Sequence, residues 1–257
     1  MSNIIVLNLW QFGAVYLLLL AVLWIMKKSK IDQSKLLVIA SIRMTVQLVL
    51  AGLVLTYIFK NPHPLFVLLY ITAMIIMSIH TVLSRNKGIN KRFEIIVALS
   101  LTGSGLLIIL FFILGVVGVS IFNPQYTIPI SGMIMGNAMT GVSLGLKTFN
   151  ELVRTQKTKI DTLIHIGATP KSILIPFVNK SIETALLPTL NSMLGMGIIS
   201  LPGMMTGQIL SGTLPTTAIL YQIAIMIAIT TVVCLAAFSS LFFGYRTLYN
   251  KKNQMLL

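Results

Sequence analysis

The sequence predicts an all-α polytopic membrane protein: about seven transmembrane helices, the N-terminus outside, the C-terminus cytoplasmic, and a short cytoplasmic helix between the fifth and sixth spans. Three observations predict it. Of 257 residues, 56% are hydrophobic and 9% charged, against about 25% charged in an ordinary soluble domain. The mean hydropathy of +0.94 leaves too little polar surface to cover a water-soluble core. The basic residues behind the net charge of +14 form no single patch of the kind that binds nucleic acid. They lie in clusters between long apolar runs, where membrane topology puts them. The chain reads as one membrane domain over residues 1–257, multi-pass in the cell membrane, with lipid and not nucleic acid around it.

A span needs roughly 20 apolar residues to cross about 30 Å of hydrocarbon. Runs at residues 4–26, 36–59, 65–83, 95–119, 128–148, 185–205 and 218–243 qualify. The first has no basic residue before it, is followed by Lys27, Lys28 and Lys30, and meets no small-residue cleavage site. It is expected to stay as a span and not to be removed as a signal sequence. Gly, Asn, Ser and Thr interrupt the fifth and sixth runs most.

The connections test this count. Residues 27–35 hold Lys27, Lys28, Lys30 and Lys35, and residues 60–64 only Lys60 and His63. Residues 84–94 hold Arg85, Lys87, Lys91 and Arg92, and residues 120–127 no charge. Residues 149–184 hold Arg154, Lys157, Lys159, Lys171 and Lys180, residues 206–217 none, and the tail Arg246, Lys251 and Lys252. Rich and poor connections alternate, and basic loops face the cytoplasm. An odd number of spans follows.

The acidic residues are Asp32, Glu94, Glu151, Asp161 and Glu183, all in or beside cytoplasmic connections. A carboxylate relay at the membrane midplane, the device of many ion-coupled transporters, therefore has no candidate, although sites built from backbone carbonyls stay open. No phosphate-binding loop or catalytic spacing occurs. A transport subunit is expected, with no catalytic residue and no cofactor of its own. The lone Cys234 lies in an apolar stretch and excludes a disulfide framework.

The long fifth connection carries a pattern. Ile160, Leu163 and Ile164 fall on one helical face, flanked by Lys157, Lys159 and Asp161. Gly167 is placed to end that helix, and Pro170 to open the next. A short amphipathic helix of this kind either fills a groove on a partner protein or lies on lipid headgroups.

The run resembles the coupling segment of ABC-transporter permeases, where an acidic residue, a spacer and Gly-Ala-Thr/Ser form the helix that docks on the ATPase. Asp161 stands where that motif has Glu, and Gly167, Ala168, Thr169 and Pro170 match it. Thr162 and Leu163 depart from its two alanines. The resemblance extends to residues 126–146, with Pro129, Gly132, Gly136, Asn137, Met139, Thr140, Gly141, Ser143 and Gly145. It also covers Pro188, Asn191, Ser192 and Met193, and the string Pro-Gly-Met-Met-Thr-Gly-Gln at residues 202–208. Arg43 and Gln47 fit the same pattern, that of the FetB-like permease family. The resemblance implies a permease paired with a separate ATPase, which would carry ATP and Mg, and proposed to export iron. Plant relatives are tied to aluminium tolerance, with a nucleotide sugar proposed as cargo. It further implies ATPase coupling through Asp161, Ile164, Gly167, Ala168, Thr169 and Pro170.

The signature spans also have a physical reading. Gly132 and Gly136, then Gly141 and Gly145, are spaced four apart, which lets helices approach closely in lipid. They serve either packing within the chain or a homodimer seam, since an ABC transporter has two permease halves. Asn137, Thr140 and Ser143 lie near one helical face, with Asn191 and Ser192 in the next span. Polar side chains in hydrocarbon need partners or water, so these either bond between helices or line a translocation path with Gln47 and Arg43. Arg43 can instead snorkel to the interface. Met133, Met135, Met139, Met193, Met196, Met204 and Met205 crowd the region. Met fills irregular cores and is also a soft ligand suited to Cu(I) more than Fe(II). His63, His80 and His165 are scattered without ligand spacing. Residues 202–215 are uncharged and rich in Gly and Pro. Pro202, Gly203, Met204, Met205 and Gln208 mark an external or re-entrant gate region, with Pro202 expected to break the sixth helix.

Overall fold

The computed structural model describes residues 8–250. Residues 4–7 of the first expected span, and Lys251 and Lys252 of the basic tail, lie outside the described residues. The elements of the described chain are helices joined by short connections: α1 Leu9–Lys28, α2 Ser34–Lys60, α3 Pro64–Arg85, α4 Lys91–Leu110, α5 Pro124–Thr155, α6 Lys157–His165, α7 Pro170–Gly195, α8 Gly203–Leu210 and α9 Pro215–Gly244. A π-helical turn, Phe111–Val117, extends α4, and a 3-10 turn, Tyr245–Leu248, follows α9. Among the described residues five helices are long and apolar enough to cross a membrane: α1, α2, α3, α4 with its π-helical extension, and α9 with the turn after it.

Side chains start and stop these helices where the sequence changes character. His63 caps α3 with Pro64 at its first position. Asn90 caps α4, its Oδ1 accepting from Phe93 N–H at 2.8 Å. Asn123 and Pro124 open α5, and Thr169 and Pro170 open α7. Proline suits this first position because its missing N–H would be unpaired there anyway.

Two compact units form. One holds α1 and α2 with Leu210–Gly212; there the Tyr16 and Thr45 hydroxyls share a hydrogen bond. The other holds His63–Ile209 and the chain from Thr213 onward. In that unit α5 lies at the centre, against α3, α4, α7 and α9. Its core is mainly apolar, with Phe93, Leu101, Ile134, Val142, Leu146, Phe149, Val232 and Leu241 almost wholly buried, and it also takes in polar side chains such as Asn86, Thr189 and Gln222. Asn90 also ties the α3–α4 connection to the chain end: its Nδ2 donates to Thr247 O at 2.9 Å, and the Thr247 hydroxyl donates back to Oδ1 at 3.1 Å.

Two expectations are corrected. The connection at 149–184 is largely helical: α5 runs on to Thr155, α6 follows, and α7 begins at Pro170. The sixth helix therefore lies at Pro170–Gly195 and not at 185–205. Nor does Pro202 break it. The helix ends at Gly195, because Met196 turns extended and Gly197 takes φ +84°, a region open to glycine and costly for residues with a Cβ. A tight turn then forms: Ile199 and Ser200 N–H both reach Gly195 O, and Gly197 N–H reaches Ser200 O. Pro202 instead stands just before α8.

Candidate functional site

Where α5, α7 and α9 meet, they bound an open cavity of about 400 Å³. Asn137 and Thr140 come to it from α5, Pro188, Thr189 and Ser192 from α7, and Ser200 and Pro202 from the turn beyond. Met196 and Met226 complete one wall. Among the described residues no charged side chain lines it. The donors are largely committed to the helices themselves. Asn137 Nδ2 bonds Met133 O at 2.8 Å, Thr140 Oγ1 bonds Gly136 O at 2.9 Å, and Ser192 Oγ bonds Pro188 O at 2.9 Å. A hydroxyl that has spent its hydrogen keeps two acceptor lone pairs. The cavity thus offers oxygen acceptors, which suit a cation.

Helical geometry decides which sequence-predicted residues reach it. At about 100° per residue, Asn191 lies about 200° around α7 from Thr189. It is exposed and outside the cavity, whereas Thr189, which sequence reasoning passed over, is buried against it. The i, i+3 spacing of Thr189 with Ser192 was the signal available. Ser143 leaves the Asn137–Thr140 face and accepts from the buried Asn86 Nδ2 at 3.2 Å. Arg43 and Gln47 are exposed on α2, in the other unit. Asn137, Thr140 and Ser192 are also exposed in the single chain.

The glycines divide. A methyl on Gly141 would sit 2.6 Å from Val233 Cγ1 and 3.3 Å from Ala185 O; on Gly145 it would sit 3.3 Å from Ala185, Leu241 and Ser181 O. These two let α5 pack on α7 and α9. Gly132 faces Met74 at 3.2 Å, and Gly136 faces nothing within 4 Å. The residues expected to form a gate are spread apart among cavities. Pro202 borders the first; Met204 and Gln208 line a second of about 380 Å³ with Tyr126, Pro129 and Met133; Met205 lines a third. Gly203 opens α8.

The residues expected to couple to an ATPase lie together on α6 and the compact turn between α6 and α7. Gly167, at φ +87°, ends α6: Ala168 N–H reaches Leu163 O and Gly167 N–H reaches Ile164 O, both at 2.9 Å. This paired closure is the Schellman turn. The Thr169 hydroxyl then accepts from Ser172 N–H at 3.3 Å, and Pro170, buried, starts α7. The apolar face of α6 turns inward: Ile160 is fully buried, and Leu163, Ile164 and Ala168 pack against the core. Asp161, Gly167 and Thr169 point outward. So does Ile166, 74% exposed, an apolar tip that sequence reasoning missed because it falls off the helical stripe. Beside α6 lies an open cavity of about 580 Å³ lined by Arg85, Lys87, Lys147, Arg154 and Lys157. Its one carboxylate, Glu151, stands 3.8 Å from Lys147.

Among the described residues no group of three or more His, Cys, Asp or Glu is placed to hold a metal ion. His63 caps α3 through Nδ1, and His165 Nδ1 bonds Asp161 O.

The model of the uncharacterised protein family UPF0014 matches residues 9–249. The Bacillus subtilis UPF0014 membrane protein YjkA is 35% identical over 80% of this chain and 82% of its own. The Escherichia coli protein named probable iron export permease FetB is 32% identical over 95% of this chain and 93% of its own. The Arabidopsis thaliana protein ALUMINUM SENSITIVE 3 is 31% identical over 83% and 77%. No solved structure matches. The chain is an integral membrane protein and belongs to the UPF0014 family, the FetB-like permeases that its motifs resemble.

Proposed function

We propose that the chain is the permease half of a homodimeric ABC exporter whose cargo is a metal cation, iron first. Two copies bind two cytoplasmic ATPase subunits through α6 and the turn after it. ATP and Mg belong to those partners. The observation that carries the reading is α6 itself: a short helix anchored inward by Ile160, closed by Gly167 and joined by short connections to α5 and α7, with Asp161 and Ile166 left outward. Movement of an ATPase against that tip is transmitted along both helices that line the oxygen cavity.

Seven spans, with the N-terminus outside, fit this reading. At about 1.5 Å per residue, α5 and α7 are about 48 and 39 Å long, enough to cross despite their polar residues. The exposed Asn137, Thr140 and Ser192 support a second copy, because polar groups at membrane depth face protein or water and not lipid.

The test is metal efflux from proteoliposomes holding this chain and a partner ATPase. ATP-dependent loss of Fe(II) from the loaded compartment is the expected result. Flux that persists without ATP would instead mark an ion-coupled transporter or channel. One observation favours a second cargo: the basic cavity beside α6 suits a nucleotide sugar or other organic anion. ATPase stimulation by such anions and not by metals would select it.

A further inference from the structure

Beyond the oxygen-lined cavity lies a second one of different chemistry. It measures about 500 Å³ and receives the side chains of Met193, Met196, Met205, Met226 and Gln222. Met196 and Met226 border both cavities. Methionine is an adaptable filler, and four of them together would ordinarily close such a space; here the space remains. Gln222 adds an independent mark. It is 6% exposed, and its Oε1 is buried without a hydrogen-bond partner, while Nε2 points to Met196 Sδ at 3.8 Å. A buried acceptor left unpaired is a penalty that a native structure ordinarily avoids. The Thr230 hydroxyl lies 2.8 Å from Met226 O and 3.1 Å from Met193 Sδ.

We propose that this cavity binds a soft monovalent cation, of the Cu(I) or Ag(I) class, through the thioethers of Met193, Met196, Met205 and Met226 with Gln222 Oε1 turned toward the charge. Thioether sulfur selects soft ions. Among the described residues the lining holds no carboxylate, thiolate or imidazole, so the ligand set is neutral. It compensates one charge far better than two, which excludes Fe(II) and other divalent ions from this site. The inference stands apart from the export reading, because it concerns binding by the chain alone.

The probe is Ag(I), titrated calorimetrically into the purified full-length protein in chloride-free detergent solution, with Ag K-edge X-ray absorption on the loaded sample. The expected result is saturable binding with a sulfur-dominated shell. Exchanging all four methionines together (Met193→Leu, Met196→Leu, Met205→Leu, Met226→Leu) should weaken it by about tenfold or more. Leucine nearly conserves methionine volume, so the thermal midpoint of that variant should hold and report an intact fold. Met133→Leu with Met139→Leu, outside the cavity, should leave binding unchanged. Gln222→Glu should tighten binding and admit a divalent ion. Unaltered Ag(I) affinity in the folded four-leucine variant, or a shell of oxygen and nitrogen alone, would overturn the proposal and leave the methionines as packing.

Discussion

Asn137, Thr140 and Ser192 show how a few polar side chains line an apolar protein without a charge among them. Each is anchored to a carbonyl of its own helix, which leaves its oxygen lone pairs open to accept. Gly141 sets how near the helices around that cavity come. Its missing side chain leaves room that Val233 Cγ1 and Ala185 O already border. Gly141→Ala is expected to destabilise by about 1–3 kcal/mol through overpacking, read as a lower thermal midpoint in detergent. Gly103→Ala in α4, where a methyl meets nothing within 4 Å, is the matched control. It should hold or raise the midpoint, because alanine is favoured over glycine in a helix by about 1 kcal/mol. Equal losses at both positions would mean that α5 does not pack against α7 and α9 as described.

At the scale of elements, the proposed coupling role divides α6 by face. Ile160 belongs to the core and Ile166 to the outside. Ile166→Asp is therefore expected to leave expression and thermal midpoint unchanged while ATPase co-purification falls at least severalfold. Ile160→Asp should cost the fold itself, because it buries an unpaired carboxylate. ATPase retention by the folded Ile166→Asp protein would remove the tip from the coupling contact. The end of α6 was legible from residue chemistry: a glycine at Gly167 for the turn, then a proline at Pro170 for the next helix. The start of α7 carried the same signals at Thr169 and Pro170, but the apolar run beginning near Ala185 drew the expected span too far along. Hydropathy counts apolar residues, and the run from Met196 to Leu201 is as apolar as a helix. It is a turn because of one backbone angle at Gly197, which no hydropathy window contains. The cavity was legible in half: Asn137, Thr140 and Ser192 from polarity, Thr189 and Met226 only once the helices were set side by side.

For the whole molecule, the question is what covers the face of α5 that its own chain leaves bare. Gly136 meets no neighbour, and Asn137 and Thr140 are exposed beside it. On the proposed seven-span reading these groups lie at membrane depth, where an amide and a hydroxyl next to a glycine that presents naked backbone are poorly matched to lipid and well matched to a second helix approaching closely. If α5 meets α5 of a second copy there, the polar cavities of the two chains join into one path, and the single chain's open cleft is half of it. Cys234 is the protein's one cysteine, so Cys234→Ala supplies a background in which pairing can be read. In that background Gly136→Cys is expected to form a disulfide-linked dimer in native membranes under mild oxidant, since a two-fold contact brings like residues together. Ala138→Cys, wholly buried on the inward face of the same helix, should remain monomeric on a non-reducing gel. Crosslinking that is equal at both positions would report random collision. Its absence at Gly136 would move the seam off α5, to the apolar turn after α7, where Leu194, Ile198 and Ile199 are more than 80% exposed.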